Sequence, residues 1–228
     1  MEPRFTRGEY WLLETAVEHR LPVSVLTASN LEEILNKTGH RLTRDALIET
    51  LYRLITSGLI SVEHEVDGMI STHQHIERAL NEPRRIPRVG EKKRTRYGLT
   101  QEGGAQWEAF AAPDWQNYIA GSVQLPDEGE YEMWELICGN KNWGSADKDR
   151  SKWLKRYIES MCFYSQKEVF SESMEWDYVT PWDATYWKQL EGGHRVRFRC
   201  RDKSEGKNFK PPPPPFGVYF HRMWYAWQ

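Results

Sequence analysis

Apolar residues recur at three- and four-residue spacing over a short stretch of the first half of the chain. The stretch contains Leu47, Ile48, Leu51, Leu54 and Ile55. Such spacing places apolar side chains on one face of a helix, and Thr43 before it and Gly58 after it are typical of a helix start and a helix end. The sequence GLISVEHEV begins at Gly58 and alternates β-branched with polar residues, which predicts a strand.

Further elements are predicted on both sides of this helix. Thr6 and Glu9 fit the capping box of a first helix, and a second helix is expected over 31–38 with Asn30 as its cap. After the strand, STHQHIERALNE predicts a short helix ended by Pro83, RTRYGL predicts another strand, and TQEGGAQWEAFA predicts a final helix. The predicted order is three helices, a strand, an insert of about thirty residues, a second strand and a helix.

Two segments carry a resemblance to a known family. LIETLYRLITSGLIS at Leu47–Ser61 is similar to a recognition helix that enters a wing, and RYGLTQEGGAQW at Arg96–Trp107 is similar to the returning strand and the helix after it. Over about residues 6–110 the chain resembles the winged helix-turn-helix of MarR- and PadR-like bacterial regulators. The resemblance implies DNA contact by the third helix, which carries Arg44 and Arg53, and by the wing, which is enlarged here.

The enlarged wing is strongly basic. Arg84–Arg96 carries a charge of +6 from seven basic residues and one acid, whereas the whole chain carries −2. Cations in this setting can contact phosphates or enter a minor groove, although a charged loop can also serve solubility alone. The predicted nucleic-acid contacts are Arg44, Arg53, Arg84, Arg85, Arg88, Lys92, Lys93, Arg94 and Arg96.

The outward side of the third helix favours a different partner. By periodicity its outward residues are Thr43, Arg44, Asp45, Glu49, Thr50 and Arg53. Two of these residues are acids, and carboxylates at a DNA surface repel phosphate. A protein partner is therefore the alternative to DNA.

The second half has a different composition. Only Trp11 of the eleven tryptophans precedes Trp107, and Pro113 stops the preceding helix. We therefore expect two domains, 1–112 and 113–228. The second is predicted to be an α+β domain with a mainly antiparallel sheet, in which EYEMWELIC, MEWDYV and RVRFRCR form strands, SADKDRSKWLKRYIESMC forms the main helix and PWDATYWKQL a short helix.

One predicted strand of this half has arginine at every second position. Arg195, Arg197, Arg199 and Arg201 share a face, opposite Val196, Phe198 and Cys200. The arginines could bind phosphates or an acidic partner, which makes them a candidate secondary binding face. The alternative, which we favour, is neutralisation by cross-strand acids, for which Glu175, Asp177, Glu130 and Glu132 have suitable spacing.

Aromatic residues and prolines mark two further features. Trp176, Tyr178, Trp182, Tyr186 and Trp187 lie close together in sequence, and such a group more often fills a core or an interface than it stacks on bases. Pro211–Pro215 predicts an extended polyproline segment, and the aromatic residues after it are expected to dock on the domain.

The sequence offers no catalytic or metal motif. Cys138, Cys162 and Cys200 lack disulfide or zinc spacing, and His73 and His75 diverge on a helix, so no metal or other cofactor is expected. The first residues lack an apolar leader and no long apolar run follows, which predicts a cytoplasmic protein without a membrane partner.

These observations predict a non-enzymatic binding protein. The first hypothesis is a DNA-binding transcriptional regulator that uses a winged helix with a basic wing. The alternative is a protein-interaction module, such as an immunity or antitoxin-like protein that binds and blocks a partner protein. An enzyme with a site in the Trp-rich half is a third and weaker hypothesis. A homodimer is a further possibility, because winged-helix regulators are often two-fold dimers.

Overall fold

The computed structural model describes residues 5–83, 94–124, 131–139 and 147–203. It has helices and antiparallel sheets, so the fold is of the α+β class. Contacts divide the described chain into two compact units. Among the described residues, the first runs to Ala112 and includes the distant segment Thr185–Lys188, and the second contains Pro113–Ala184 and the chain from Gln189 to Lys203.

The first unit has five α-helices in its described part. They are α1 (Arg7–Thr15), α2 (Leu31–Leu35), α3 (Arg44–Thr56), α4 (His73–Leu80) and α5 (Gln101–Ala111). The capping box of Thr6 and Glu9 and the Thr43 cap of α3 are confirmed. The second helix is shorter than predicted, because Asn36 adopts a left-handed conformation that ends it. Asn30 makes no side-chain capping hydrogen bond there.

Four short strands complete the first unit. They are β1 (Leu21–Pro22), β2 (Ile60–His64), β3 (Gly68–Met69) and β4 (Thr95–Leu99), and their order in the antiparallel sheet is β1-β4-β2-β3. β4, which follows the insert of about thirty residues, thus lies between β1 and β2, which both precede the insert. The insert itself contributes β3 and α4, so it forms structure of its own.

The glycines at the start of α5 permit close packing. A Cβ atom at Gly103 would collide with the carbonyl oxygen of Leu59, and one at Gly104 would collide with the ring of Trp187. Trp187 is buried in the first unit, where its ring meets Trp107 edge to face and its Nε1 donates to the Val17 carbonyl over 2.8 Å. The glycines therefore weaken the helix intrinsically but let a backbone and an indole approach it.

The second unit is a four-stranded antiparallel sheet with one helix on it, as predicted. Its main strands are β5 (Ile119–Gln124), β6 (Glu132–Gly139), β7 (Lys167–Val179) and β10 (Gly193–Asp202), in the order β5-β6-β10-β7, and its helix is α6 (Asp147–Tyr164). Apolar residues of β6, β10 and α6 form the core: Leu136, Cys138, Leu154, Ile158, Cys162, Val196 and Phe198.

The prediction of a short helix in PWDATYWKQL is wrong. The structure has two short strands there, β8 (Trp182–Asp183) and β9 (Gln189–Leu190), which pair with each other. Backbone hydrogen bonds between Thr185 and Lys188 close the turn that joins them. The aromatic and β-branched residues of this stretch favour extended backbone, and that preference outweighs the helix-start signal of Pro181.

Candidate functional site

The helix predicted to contact DNA is α3, and α4 of the insert packs beside it. Arg44 donates to the Asn81 side chain over 2.9 Å. The His73 ring lies 2.9 Å from Glu49 and its centroid 3.8 Å from that of Tyr52. One side of α3 is therefore engaged by the insert.

The outward side of α3 carries two exposed acids, one of which, Glu49, is the acid that His73 contacts. Asp45 and Glu49 are exposed, whereas Arg53 forms an ion pair of 3.2 Å with Glu9 of α1. Thr50, predicted to face outward, is buried and its hydroxyl donates to the Ala46 carbonyl. The reason is its position between Leu47 and Leu54 on the packed face. Both arginines assigned to this helix thus have partners within the chain.

Two predicted wing residues lie at the start of β4. Arg94 precedes the strand and its Nη2 is buried without a hydrogen-bond partner among the described residues. Arg96 is exposed and donates to the Arg20 carbonyl over 3.3 Å, while Arg20 itself pairs with Glu63 at 3.2 Å. Two guanidinium groups and one carboxylate thus share this edge. The other predicted contacts, Arg84, Arg85, Arg88, Lys92 and Lys93, lie outside the described residues.

The arginine row occupies the centre of the second unit's sheet. Val196, Phe198 and Cys200 are buried against α6, so Arg195, Arg197, Arg199 and Arg201 lie on the opposite face of β10, which no described helix covers. The row was correctly inferred from alternation. What it can bind depends on the acids beside it.

Three of the four arginines are paired with carboxylates of neighbouring strands. Arg195 binds Asp177 through two nitrogens, one of them at 2.8 Å. Arg197 donates to Glu135 over 2.7 Å, and Arg201 donates to Glu168 over 3.0 and 3.1 Å. The hydrogen bonds from Arg195 hold the pKa of the Asp177 carboxyl below its ordinary value. These pairs use hydrogen-bond donors of three arginines, so fewer donors remain for an external anion.

The partners differ from those expected by spacing. Asp177 pairs as anticipated, but Glu175 makes no ion pair within the described chain, and Glu130 lies outside it. Glu132 belongs to the opposite face, in register with Cys200, and accepts from Lys167 over 2.6 Å, which lowers the pKa of Glu132. Alternation along β6 explains why Glu135 rather than Glu132 pairs with an arginine. Leu136 and Cys138 are buried on the helix side of the sheet, so Glu132 lies on that side and Glu135 lies on the arginine face.

Arg199 differs from its neighbours in the row. Its guanidinium lies 4.8 Å from the Tyr131 ring centroid, and no carboxylate of the described residues lies within ion-pair distance of it. Sequence spacing alone could not distinguish this arginine from the others, because the distinction depends on the register of β7.

The aromatic group of the second half divides between core and surface. Trp182 and Trp187 are buried, whereas Trp176, Tyr178 and Tyr186 remain more than a third exposed. Tyr186 belongs to the first unit, where its hydroxyl donates to the Ala16 carbonyl over 2.7 Å. The group is therefore not a single stacking surface. The polyproline segment Pro211–Pro215 and the residues after it lie outside the described chain.

The described residues contain neither a group of side chains placed to hold a metal ion nor a helix suited to cross a membrane. His73 contacts Glu49 rather than His75 or Glu77, and no group of three His, Cys, Asp or Glu side chains within the described ranges is placed to hold a metal ion. None of the described helices combines the length and apolar character needed to cross a bilayer.

Comparison with known proteins yields no relative. No family model, no curated protein and no solved structure matches the chain.

Proposed function

We propose that this chain is a non-enzymatic binding protein whose first unit is a winged-helix module with α3 facing a protein partner. The chain runs α1, β1, α2, α3 and β2, and its last strand, β4, lies between β1 and β2 in the sheet. This order supports the winged-helix assignment. The insert with β3 and α4 enlarges the wing.

The proposal of a protein partner rests on the charged side chains of α3. Its two arginines are occupied by Asn81 and Glu9, and its exposed acids are Asp45 and Glu49, of which Glu49 also contacts His73. A helix in this state offers a DNA major groove few donors and repels its phosphates. The same surface complements a basic patch on a protein, and electrostatic complementarity of this kind promotes association.

The test is capture by the purified full-length chain from extract of the cells that produce it. We expect one stoichiometric partner, and we expect Asp45→Lys combined with Glu49→Gln to weaken its binding about tenfold or more through loss of charge complementarity. Glu18→Lys is the matched control, since Glu18 is an exposed acid outside α3. Equal capture by the α3 variant and the wild type would contradict the proposal.

DNA contact by the wing is the second candidate. It is supported by Arg94 and Arg96 at the entry to β4, by Arg20 beside them, and by the charge of +6 over Arg84–Arg96. Contacts of this kind bind phosphates without reading sequence.

A duplex mobility-shift assay tests this candidate. Lys92→Glu with Arg94→Glu should abolish the shift, and wild-type binding should fall steeply as salt rises because counterions are released on binding. Arg44→Gln serves as the control, because Arg44 is already engaged by Asn81. No wild-type shift on any duplex at low salt would eliminate this function.

A further inference from the structure

The open face of the second unit's sheet contains a recess where β7 departs from regular pairing. Its volume is about 450 Å³. The side chains that matter for its chemistry are Tyr131, Met133, Phe170, Glu172, Glu175 and Arg199. They come from β6, β7, β10 and the residue before β6.

A large bulge in β7 forms the recess. Arg197 is in register with Glu175 and Arg199 with Phe170, so residues 171–174 of β7 lie opposite Phe198 alone. The Ser173 hydroxyl donates to the Phe170 carbonyl over 2.6 Å and accepts from the Arg199 amide over 2.8 Å. Met174 packs against the core. The bulge therefore has defined hydrogen bonds and an anchored side chain, as bulges that shape sites do.

Among the described residues, the charges in this recess have no ion-pair partner, whereas the other three arginines of β10 do. Arg195, Arg197 and Arg201 each have a carboxylate partner. Within the described ranges, Arg199, Glu172 and Glu175 have no ion-pair partner. Glu175 is in register with Arg197, but Arg197 donates to Glu135 instead.

The recess thus combines three features that a ligand must match. Arg199 can donate two parallel hydrogen bonds to a carboxylate, and the Tyr131 ring beside it helps to orient the guanidinium. Glu172 and Glu175 can accept from an ammonium group, and they would repel a ligand that carries only negative charge. Phe170 and Met133 supply apolar surface for a side chain.

We propose that this recess binds an amino-acid-like zwitterion with an apolar side chain. Its carboxylate binds Arg199, its ammonium group binds Glu172 or Glu175, and its side chain contacts Phe170 and Met133. This ligand site is separate from the surface of α3 and does not depend on which macromolecule the first unit binds.

The test is titration of the full-length protein with L-phenylalanine, followed by ligand-observed NMR. We expect a dissociation constant on the order of 1 mM, as suits a small ligand in an open pocket. Arg199→Gln should weaken binding about tenfold or more, because it removes the bidentate charged contact. Arg195→Gln is the matched control, since Arg195 lies in the same row, already has Asp177 as its partner and does not line the recess.

Two probes that each lack one charge make the assignment specific. 3-Phenylpropanoate lacks the ammonium group and L-phenylalanine amide lacks the carboxylate. Both should bind wild-type protein about tenfold more weakly than L-phenylalanine, and Glu172→Gln with Glu175→Gln should remove the preference for L-phenylalanine over 3-phenylpropanoate. Unchanged affinity in Arg199→Gln, no detectable binding of L-phenylalanine, or equal binding of the three probes would overturn the proposal.

Discussion

The central strands of the two sheets are covered differently. In the first unit β4 is buried at Thr95, Tyr97, Gly98 and Leu99, so both of its faces are covered and only Arg96 is exposed. In the second unit β10 is buried at every second residue and presents arginines between them. On the uncovered face three of the four arginines are paired with carboxylates, and among the described residues Arg199, beside the bulge of β7, is the one without such a pair.

Phe198→Ala gives the largest expected effect and tests the covered face of β10. Phe198 is fully buried between β6 and α6 residues, and its truncation should lower the free energy of unfolding by about 3–5 kcal/mol. Its neighbour in sequence provides the control, since Arg199→Gln on the open face should change stability by less than about 0.5 kcal/mol. Urea unfolding followed by tryptophan fluorescence measures both, and similar losses would show that the two faces are not distinct.

Gly103→Ala tests how closely the first sheet is covered. Alanine normally strengthens a helix, but the new Cβ atom would meet the Leu59 carbonyl oxygen, which is backbone and cannot rotate away. We expect a net loss of about 1–3 kcal/mol in the free energy of unfolding. Ala105→Gly, at an exposed position of α5, provides the reference for helix propensity alone. It should lower the free energy of unfolding by about 1 kcal/mol. An increase in stability for Gly103→Ala would contradict the close approach.

Asp177→Asn has the smallest expected effect and concerns the open face. The pair of Arg195 with Asp177 is partly exposed, so its loss should lower the free energy of unfolding at neutral pH by about 0.2–1 kcal/mol. Because the folded pKa of Asp177 is lowered, this contribution exists above its unfolded pKa of about 3.9 and disappears as the pH falls through the folded value.

The measurement is the difference between wild type and Asp177→Asn in urea unfolding from pH 7 down to pH 3. The difference should decrease toward the acid end. Glu191→Gln, an exposed substitution without an ion pair in the described chain, should show no such trend. A difference that stays constant with pH would mean that the pair does not stabilise the fold.

Local patterns in the sequence are sufficient for much of this fold. Spacing and caps predict α3 and the capping box of α1, and alternation predicts β10 with its two faces. The partners of Arg44 and Arg53 could not be predicted, because Asn81 and Glu9 are brought to α3 by tertiary packing. The pairing of Arg197 with Glu135 depends on strand register, and so does the lack of a carboxylate partner for Arg199 among the described residues. The bulge shifts this register without changing the alternation on β10.

The membership of Thr185–Lys188 in the first unit bears on how this protein is synthesised. Trp187 fills a place beside Gly104 and Trp107, and Tyr186 donates to the Ala16 carbonyl. A nascent chain that has reached Ala112 therefore lacks two of the aromatic side chains of its first unit. They arrive 76 residues later (188 − 112), a delay of about 4–15 s at about 5–20 residues per second. The first unit therefore completes its packing only after most of the second has been translated.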